Sequence, residues 1–295
     1  MKKHAYLVVA YNNWEVLNTQ FRLLDDFRND IFLIVDSKSN DFDPCLLYKP
    51  INARLTLLPR RCIYWAEFSQ VKALLDLIQA AISSETNEVQ YSYFHFFSGT
   101  DLPIKSQDFI HGFCDSVNKN FIGIVPKVFP YSTNRVKYYW PLLRTRLYKK
   151  YKVIKGVSLL STYLQRLLGV NRLKDSKLDI YNGWDWASIT HEFALFLLSN
   201  QDEIRHMFNK CLCPSELWIH TLCYNSSFRD TLYDEHNLKN GSMRFIDWER
   251  GRPYTWGQEE GDFEKLVSSP YLFARKFDCK YMRLVQEIEN YVTQR

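Results

Sequence analysis

The chain has no apolar run long enough to cross a bilayer. Its first hydrophobic stretch, residues 5–11, follows Met1 and three polar residues and is too short for a signal peptide or a membrane span. No later stretch is apolar for long enough either. We therefore expect a soluble, cytoplasmic protein that meets a membrane only through its surface.

The seven cysteines do not show the pattern of a disulfide framework. Their number is odd and their spacing is irregular, which argues against a disulfide scaffold and favours a reducing compartment. Cys211 and Cys213 are too close together to make a zinc site alone, and no CxxC motif or histidine pair completes one. We interpret both as small buried hydrophobic residues.

Acidic residues are nearly missing from residues 135–177, which we call the basic segment. It holds twelve Lys and Arg residues and one acidic residue, Asp175, so it carries +11 while the rest of a chain of net charge +5 sums to −6. From about Leu147 to Leu168 the cations interleave with Tyr, Leu and Val. The segment is either a solvated helix face or a surface that contacts anionic lipid. Nucleic acid is a weaker alternative, because no nucleic-acid-binding motif accompanies the charge.

The remaining pattern is that of an α/β fold. With 295 residues and 46% apolar content the chain can form one large domain or two modest ones, and it contains no internal repeat or obvious linker. Short apolar runs alternate with amphipathic stretches over the first 125 residues, which predicts a mostly parallel sheet flanked by helices. The predicted strands are residues 6–10, 31–35, 54–58, 91–97 and 121–125. Helices are predicted after Asn12 or Asn13, around residues 71–78, and from Ser106 to Phe113.

Three residues lie at or just after the carboxyl ends of predicted strands: Asp36, Trp65 and Asp101. In open α/β sheets ligands bind beyond these ends, where loops converge and helix N-termini present free N–H groups. The three residues are therefore candidate ligand contacts. The alternative is that the two aspartates only close turns.

Four separated segments add a more specific pattern: Phe32–Ser39 (FLIVDSKS), Ser98–Ser106 (SGTDLPIKS), Pro214–Thr221 (PSELWIHT) and Tyr271–Asp278 (YLFARKFD). In this order, and together with Asp247–Pro253 (DWERGRP), they resemble the core-2/I-branching N-acetylglucosaminyltransferases, or family 14 glycosyltransferases, which include protein xylosyltransferases and many bacterial members. The resemblance implies a GT-A-type fold. Within one unit, a nucleotide-sugar-binding half at 1–130 would precede an acceptor-binding and catalytic half at 131–295.

The resemblance also implies an inverting transfer, which needs one carboxylate to take the proton of the acceptor hydroxyl. The matching residue is Glu216; the alternative is that Glu216 only favours the first turn of a helix. The negative charge of the departing diphosphate would be met by Lys276 and an arginine. Arg252 has suitable spacing, with Arg250 and Arg244 as alternatives. No divalent metal or other cofactor is expected.

For the nucleotide, the resemblance implies that Asp36 contacts the base or ribose and that Trp65 lies against uracil; the alternative for Trp65 is core packing. A metal-dependent transferase is the rival interpretation, because the chain contains Asp41-Phe42-Asp43. These two aspartates precede Pro44 in a Ser/Asn/Asp-rich loop, which favours a turn. The loop at Asp101 offers a single carboxylate, a poor metal site.

The segment Gly183–Glu192 resembles the acceptor side of the family. Trp184 and Asp185 replace residues that are usually small or amide, and His191 stands where Arg is frequent. Indole faces stack on the C–H faces of pyranoses, so Trp184, Asp185 and Trp186 are predicted acceptor contacts.

Taken together, the resemblance implies an inverting, metal-independent glycosyltransferase that moves N-acetylglucosamine from UDP-GlcNAc to a hydroxyl of a glycan or lipid-linked glycan. UDP-galactose, UDP-glucose and UDP-xylose stay open as donors. Since the sequence shows no membrane anchor or paired cysteines, we expect a bacterial-type enzyme of surface polysaccharide synthesis, cytoplasmic and peripheral at the inner face of the plasma membrane. A non-catalytic glycan-binding relative is a further alternative, but it would be expected to lack Glu216.

Overall fold

A computed structural model describes residues 2–145, 148 and 150–294; Met1, Arg295 and three residues of the basic segment, Arg146, Leu147 and Lys149, lie outside this description. The strands of the main sheet are β1 (Lys2–Ala10), β2 (Asn29–Val35), β3 (Arg54–Leu57), β4 (Gln90–Ser98), β6 (Phe121–Val125) and β7 (Asn182–Thr190). Their order is β3-β2-β1-β4-β7-β6. The first four strands pair in parallel, and β7 is antiparallel to both β4 and β6. The predicted α/β fold with a mostly parallel sheet flanked by helices is confirmed.

Helices cover both faces of the main sheet. Because side chains alternate along a strand, Ala5 and Leu7 of β1 face one hydrophobic core and Tyr6 and Val8 face the other. The first core is closed by α2 (Ser69–Ser83), α6 (His191–Ser199), α7 (Gln201–Phe208) and α8 (Trp218–Tyr224), and the second by α1 (Trp14–Leu23) and α3 (Gln107–Val117). Every residue of β2 is buried, as expected for a strand covered on both sides.

A second, three-stranded sheet consists of β5 (Leu102–Pro103), β8 (Arg244–Ile246) and β9 (Phe273–Arg275), in the order β5-β9-β8. A third core joins it to α11 (Met282–Thr293). Because β5 follows directly after the carboxyl end of β4, this small sheet places residues 275 and 276 at that edge of the main sheet. The remaining helices are α4 (Pro130–Lys137), α5 (Lys152–Leu167), α9 (Leu238–Ser242) and α10 (Asp262–Val267).

Two helices begin without a side-chain cap. Asn13 and Ser106 precede α1 and α3, but neither side chain caps its helix. Asn13 Oδ1 instead accepts a hydrogen bond of 3.1 Å from the backbone N–H of Cys279.

All seven cysteines are free thiols, with Cys211 buried and Cys213 partly exposed. Among the described residues, no helix combines the length and apolar character that a membrane span needs.

Strand β7 approaches its neighbours most closely at Gly183. A Cβ atom at this position would lie 1.9 Å from the carbonyl oxygen of Gly123 and 2.5 Å from Cδ2 of His220. No side chain fits there, so the backbone can follow this path only with glycine. The following residues, Trp184 to Trp186, are thereby held at a fixed distance from β6 and α8. The division of the chain at residue 130 stays a prediction.

Candidate active site

Glu216 ends a short 3₁₀ helix, Pro214–Glu216, and is held by a buried arginine. Its Oε2 lies 2.8 Å from Nη2 of Arg135, and the exposed fraction is 45% for the Glu216 side chain and 5% for that of Arg135. Arg135 also donates to the backbone carbonyls of Leu212, at 2.8 Å, and Cys213. One guanidinium therefore fixes both the carboxylate and the loop that carries it, while the carboxylate remains open to solvent.

Asp185 on β7 is a second carboxyl close to Glu216. Burial raises the pKa of Asp185 to about 7, and the charge of Glu216 adds to the rise, whereas Arg275 and a hydrogen bond from Ser215 oppose it. Its Oδ1 is buried without a hydrogen-bond partner in the described part of the chain. A carboxyl with these properties can accept a hydrogen bond from a ligand hydroxyl or, when protonated, donate one.

The raised pKa of Asp185 predicts a pH-dependent stability. The folded protein keeps a proton that the unfolded chain releases near pH 3.8, so the free energy of unfolding should fall as pH rises from about 4 to about 7. Asp185→Asn should remove this component, which amounts to at most roughly 4 kcal/mol. Denaturant unfolding of both proteins from pH 4 to pH 8 measures it, with Asp175→Asn, an 87% exposed carboxylate, as control. Parallel pH curves for the parent and Asp185→Asn would contradict the raised pKa.

Arg275 on β9 is buried between an aspartate and a tryptophan. Its Nε lies 3.4 Å from Oδ1 of Asp101, and its guanidinium carbon lies 3.3 Å from the ring centroid of Trp186. The Asp101 carboxylate also accepts hydrogen bonds of 2.8 Å from the N–H and the Oγ of Ser98. Asp101 thus closes the turn after β4, as the alternative interpretation had it, and in addition orients Arg275.

Five side chains form a row of acidic and basic groups: Arg135, Glu216, Asp185, Arg275 and Asp101. We call it the charge row. Neighbouring members interact electrostatically or by ion pairing along its whole length. It contains Glu216, the predicted base, and Arg275, the residue that precedes Lys276. The structure therefore brings Glu216, the predicted base, close to the cationic end of β9, although the two are far apart in sequence.

Lys276 and Arg252 lie on chain segments that run side by side. The backbone N–H of Lys276 donates to the carbonyl of Tyr254 at 3.4 Å, and the N–H of Trp256 donates to the carbonyl of Lys276 at 2.9 Å. Arg252 is exposed and Lys276 is partly exposed. The chain segments that carry these two cations are therefore neighbours near the end of β9.

The two alternative arginines are held by contacts within the protein. Arg244 is fully buried and donates to the carbonyl of Ala187 at 2.9 Å, and burial lowers its pKa to about 10. Arg250 pairs with Asp247 at 2.8 Å and with Asp262 at 2.9 Å. Of the three candidates, Arg252 is the exposed one, which favours it as the partner of Lys276.

The predicted nucleoside contacts lie at the ends of β2 and β3. The Asp36 carboxylate accepts hydrogen bonds from the backbone N–H of Lys38, at 3.0 Å, and of Ile63, at 3.3 Å, and pairs with Nζ of Lys38 at 2.6 Å. Asp36 therefore closes a turn, and its contact with a nucleotide stays a prediction. Trp65 is 50% exposed, so core packing does not account for it, and Nζ of Lys155 lies 5.9 Å from its ring centroid.

Asp41 and Asp43 form local contacts. Asp41 Oδ2 accepts a hydrogen bond of 2.8 Å from Nε1 of Trp14, and Asp43 Oδ1 accepts one of 2.8 Å from the N–H of Cys45 and so caps the 3₁₀ helix Pro44–Leu46. These bonds fit the turn interpretation. Within the described ranges, one cluster has the spacing of metal ligands: His4, His95 and Cys114, all three buried. Neither Asp41 nor Asp43 belongs to it.

Comparison with known proteins now identifies the chain. The family model of the Core-2/I-Branching enzymes matches residues 4–266. The chain belongs to this family. It is therefore a glycosyltransferase.

Relatives within this family share a limited part of the chain. Xylosyltransferase sqv-6 of Caenorhabditis elegans is 30% identical over 118 residues, which are 34% of this chain and 15% of that protein. Xylosyltransferase 2 of Homo sapiens is 30% identical over 122 residues, 36% of this chain and 14% of that protein. The chain thus matches only about 15% of the length of these relatives. A solved structure of S. aureus TarS 1-349 in complex with UDP-GlcNAc is 14% identical, with a TM-score of 0.29, over 57% of this chain and 48% of that one. This partial overlap says nothing about the donor.

The predicted acceptor contacts Trp184 and Trp186 of this Core-2/I-Branching enzyme lie in two different surroundings. Trp186 packs against Arg275, whereas the ring of Trp184 lies 6.4 Å from that of Trp248, which is 44% exposed. Trp184 and Trp248 are thus two neighbouring indoles, and Trp248 belongs to the segment that carries Arg252. Their contact with a sugar stays a prediction.

Sequence reasoning missed two residues of the site. Arg135 was counted only within the basic segment, although it is the buried partner of Glu216. Arg275 stands directly before Lys276 in the motif YLFARKFD, but nothing in the motif shows that it is buried against Asp101. Both depend on tertiary contacts, and neither position has a local pattern that could have identified it.

Proposed function

We propose that this enzyme transfers a sugar from a uridine diphosphate donor to a glycan hydroxyl with inversion and without a divalent metal, and that Glu216 is the general base. One observation carries the proposal: an open carboxylate, oriented by a buried arginine, connects through the charge row to a cationic edge. A non-catalytic relative would have no need of this arrangement.

The chemistry is a single displacement. The acceptor oxygen forms the new bond to the anomeric carbon of the sugar while the bond from that carbon to the diphosphate oxygen breaks. The proton of the acceptor hydroxyl passes to a carboxylate oxygen of Glu216, and the nucleoside diphosphate leaves with the electron pair. Arg135 holds the carboxylate in a fixed orientation for this step through their ion pair.

The departing diphosphate needs positive charge, and Lys276 with Arg252 supplies it in the proposal. The accessible side chain of Arg252 and the pairing of its segment with Lys276 support this assignment. The rival metal-dependent interpretation depends on Asp41 and Asp43, which already accept hydrogen bonds from Trp14 and Cys45.

For the donor we propose UDP-GlcNAc, by the resemblance of the motifs. UDP-xylose is the second candidate, because the curated relatives are named xylosyltransferases. Free thiols at all seven cysteines support a reducing, cytoplasmic location. We propose surface polysaccharide synthesis as the pathway, with Trp184, Asp185 and Trp186 on the acceptor side.

A screen of nucleotide sugars tests the proposal. The melting temperature of the protein is measured in the presence of UDP-GlcNAc, UDP-xylose, UDP-galactose or UDP-glucose, with and without EDTA. The slow hydrolysis of each nucleotide sugar by the protein is measured under the same conditions. We expect one UDP-sugar to stabilise the protein and to be hydrolysed equally in both conditions, since a ligand that binds only the folded state raises its stability. Hydrolysis that disappears with EDTA and returns with Mn²⁺ would contradict the metal-independent mechanism. Stabilisation by UDP-xylose alone would replace the proposed donor.

A further inference from the structure

Helix α5 presents an apolar stripe to solvent. Val153, Val157, Leu160, Leu164 and Leu167 recur at the spacing of one helix face, and their exposed fractions are 75%, 47%, 58%, 49% and 66%. Three large neighbours widen the stripe: Leu159, Tyr163 and Leu168, each more than half exposed. A continuous exposed apolar surface of this kind marks an interaction site rather than ordinary surface.

The opposite face of α5 is mostly polar, with Ile154 as its apolar residue, and it packs on the protein. Ser158 is the buried residue of the helix, and its Oγ donates to the carbonyl of Pro141 at 2.8 Å. The Gln165 side chain accepts a hydrogen bond from the N–H of Tyr139 and donates to its carbonyl, each at 2.8 Å. The polarity is therefore the reverse of that of an ordinary surface helix, and these bonds hold the apolar stripe outward.

The positive charge around α5 indicates which kind of surface the apolar stripe contacts. Between residues 135 and 174 the sequence has eleven Lys and Arg residues and no Asp or Glu. Lys150, Lys152, Arg166 and Lys174 of this range are exposed. An apolar stripe bordered by cations is complementary to a bilayer with anionic headgroups, where acyl chains receive the leucines and phosphates receive the cations. With sixteen residues, α5 is too short to span a bilayer but long enough to lie in its surface.

The helix is also connected to the candidate active site. Ile154 packs with Trp140, Leu143 and Tyr148, a small core to which Leu212, just before the Glu216 loop, also contributes. Lys155 lies over Trp65, the predicted uracil contact. A membrane that contacts α5 would therefore lie next to the candidate active site.

We propose that α5 is a membrane-docking helix that lies in the plane of an anionic bilayer, with Val153, Val157, Leu160, Leu164 and Leu167 among the acyl chains. The basic residues around it contact the phosphates. This docking does not depend on the transfer chemistry and can be tested without it.

The test is flotation of the full chain with vesicles of phosphatidylcholine alone or mixed with phosphatidylglycerol. We expect binding to the mixed vesicles that weakens as salt is raised, because salt screens the attraction of the cations to the headgroups. The double variant Leu160→Glu/Leu164→Glu should lose at least ten-fold in vesicle affinity. Lys150→Glu/Lys152→Glu should weaken binding and flatten its salt dependence. The matched control is Leu195→Glu on α6, a leucine that is 43% exposed away from α5, and it should bind as the parent does.

Three outcomes would overturn the proposal: no flotation of the parent, equal flotation with neutral and anionic vesicles, or unchanged binding by Leu160→Glu/Leu164→Glu. If sedimentation shows a dimer that this variant dissociates, and no vesicle binding, the stripe is covered by a second copy of the chain instead. Because both substituted leucines are exposed, the variants should keep the parental melting temperature, and this is checked first. UDP-sugar stabilisation in solution is unaffected by either result, so this test and that of the proposed function fail independently.

Discussion

Glu216→Gln is expected to lower sugar transfer by about 10²–10⁴-fold, the usual contribution of a general base, while UDP binding stays near the parental affinity. Glutamine has the shape of glutamate and can still accept a hydrogen bond from Arg135 through its amide oxygen. It cannot take a proton from the acceptor hydroxyl. The change therefore removes the base and leaves the surroundings in place.

Transfer is measured as release of UDP with acceptor, and UDP affinity by calorimetry. Glu203→Gln serves as control, since Glu203 is an exposed residue in the first turn of α7 and should transfer as the parent does. The melting temperature of Glu216→Gln should remain close to that of the parent, because the substituted side chain is 45% exposed. Transfer by Glu216→Gln at the parental rate would remove Glu216 from the mechanism.

Lys276→Ala is expected to slow transfer by about 10²–10³-fold, as for the loss of one group that stabilises developing negative charge. UDP affinity should fall as well, whereas the affinity for uridine, which has no phosphate, should change little. Lys280→Ala is the matched control, because Lys280 is an exposed lysine four residues further along the chain. Equal UDP affinity of Lys276→Ala and the parent would place Lys276 outside the site.

Arg252→Ala refines this prediction. If Arg252 and Lys276 meet the same diphosphate, the loss in the double variant should differ from the sum of the two single losses, because residues that share a partner are energetically coupled. Additive losses would mean that the two cations act separately. Arg250→Ala is not a suitable comparison, since Arg250 holds Asp247 and Asp262 and its loss would disturb the fold.

The parallel part of the fold was predictable from hydrophobic patterns. Strand β6 has the predicted bounds. Strands β1, β2 and β4 are longer than the predicted strands by one to four residues at an end. The insertion of β7 between β4 and β6 was not predicted, because pairing between distant strands leaves no local signal. The strands of the small sheet have only two or three residues each, too few to show a periodicity.

Motifs mark part of the candidate site, and the roles of the residues in them stay predictions. Glu216, Lys276 and Asp101 lie in segments whose order resembles the family, and the structure brings their segments together through the charge row. Arg135 could not be distinguished by sequence from the solvated cations that follow it. Its burial depends on the carbonyls of Leu212 and Cys213, which reach it only after the chain has folded.

The tight passage at Gly183 constrains the backbone next to the proposed acceptor contacts Trp184, Asp185 and Trp186. Since even a methyl group would collide with the neighbouring strand, the backbone under the two tryptophans is not free to drift during evolution. If these residues contact the acceptor as proposed, a new specificity would arise by exchange of the side chains at 184–186 or around Trp248, while the backbone path at Gly183 stays the same. Saturation mutagenesis would then recover folded protein widely at those positions and only the native residue at 183.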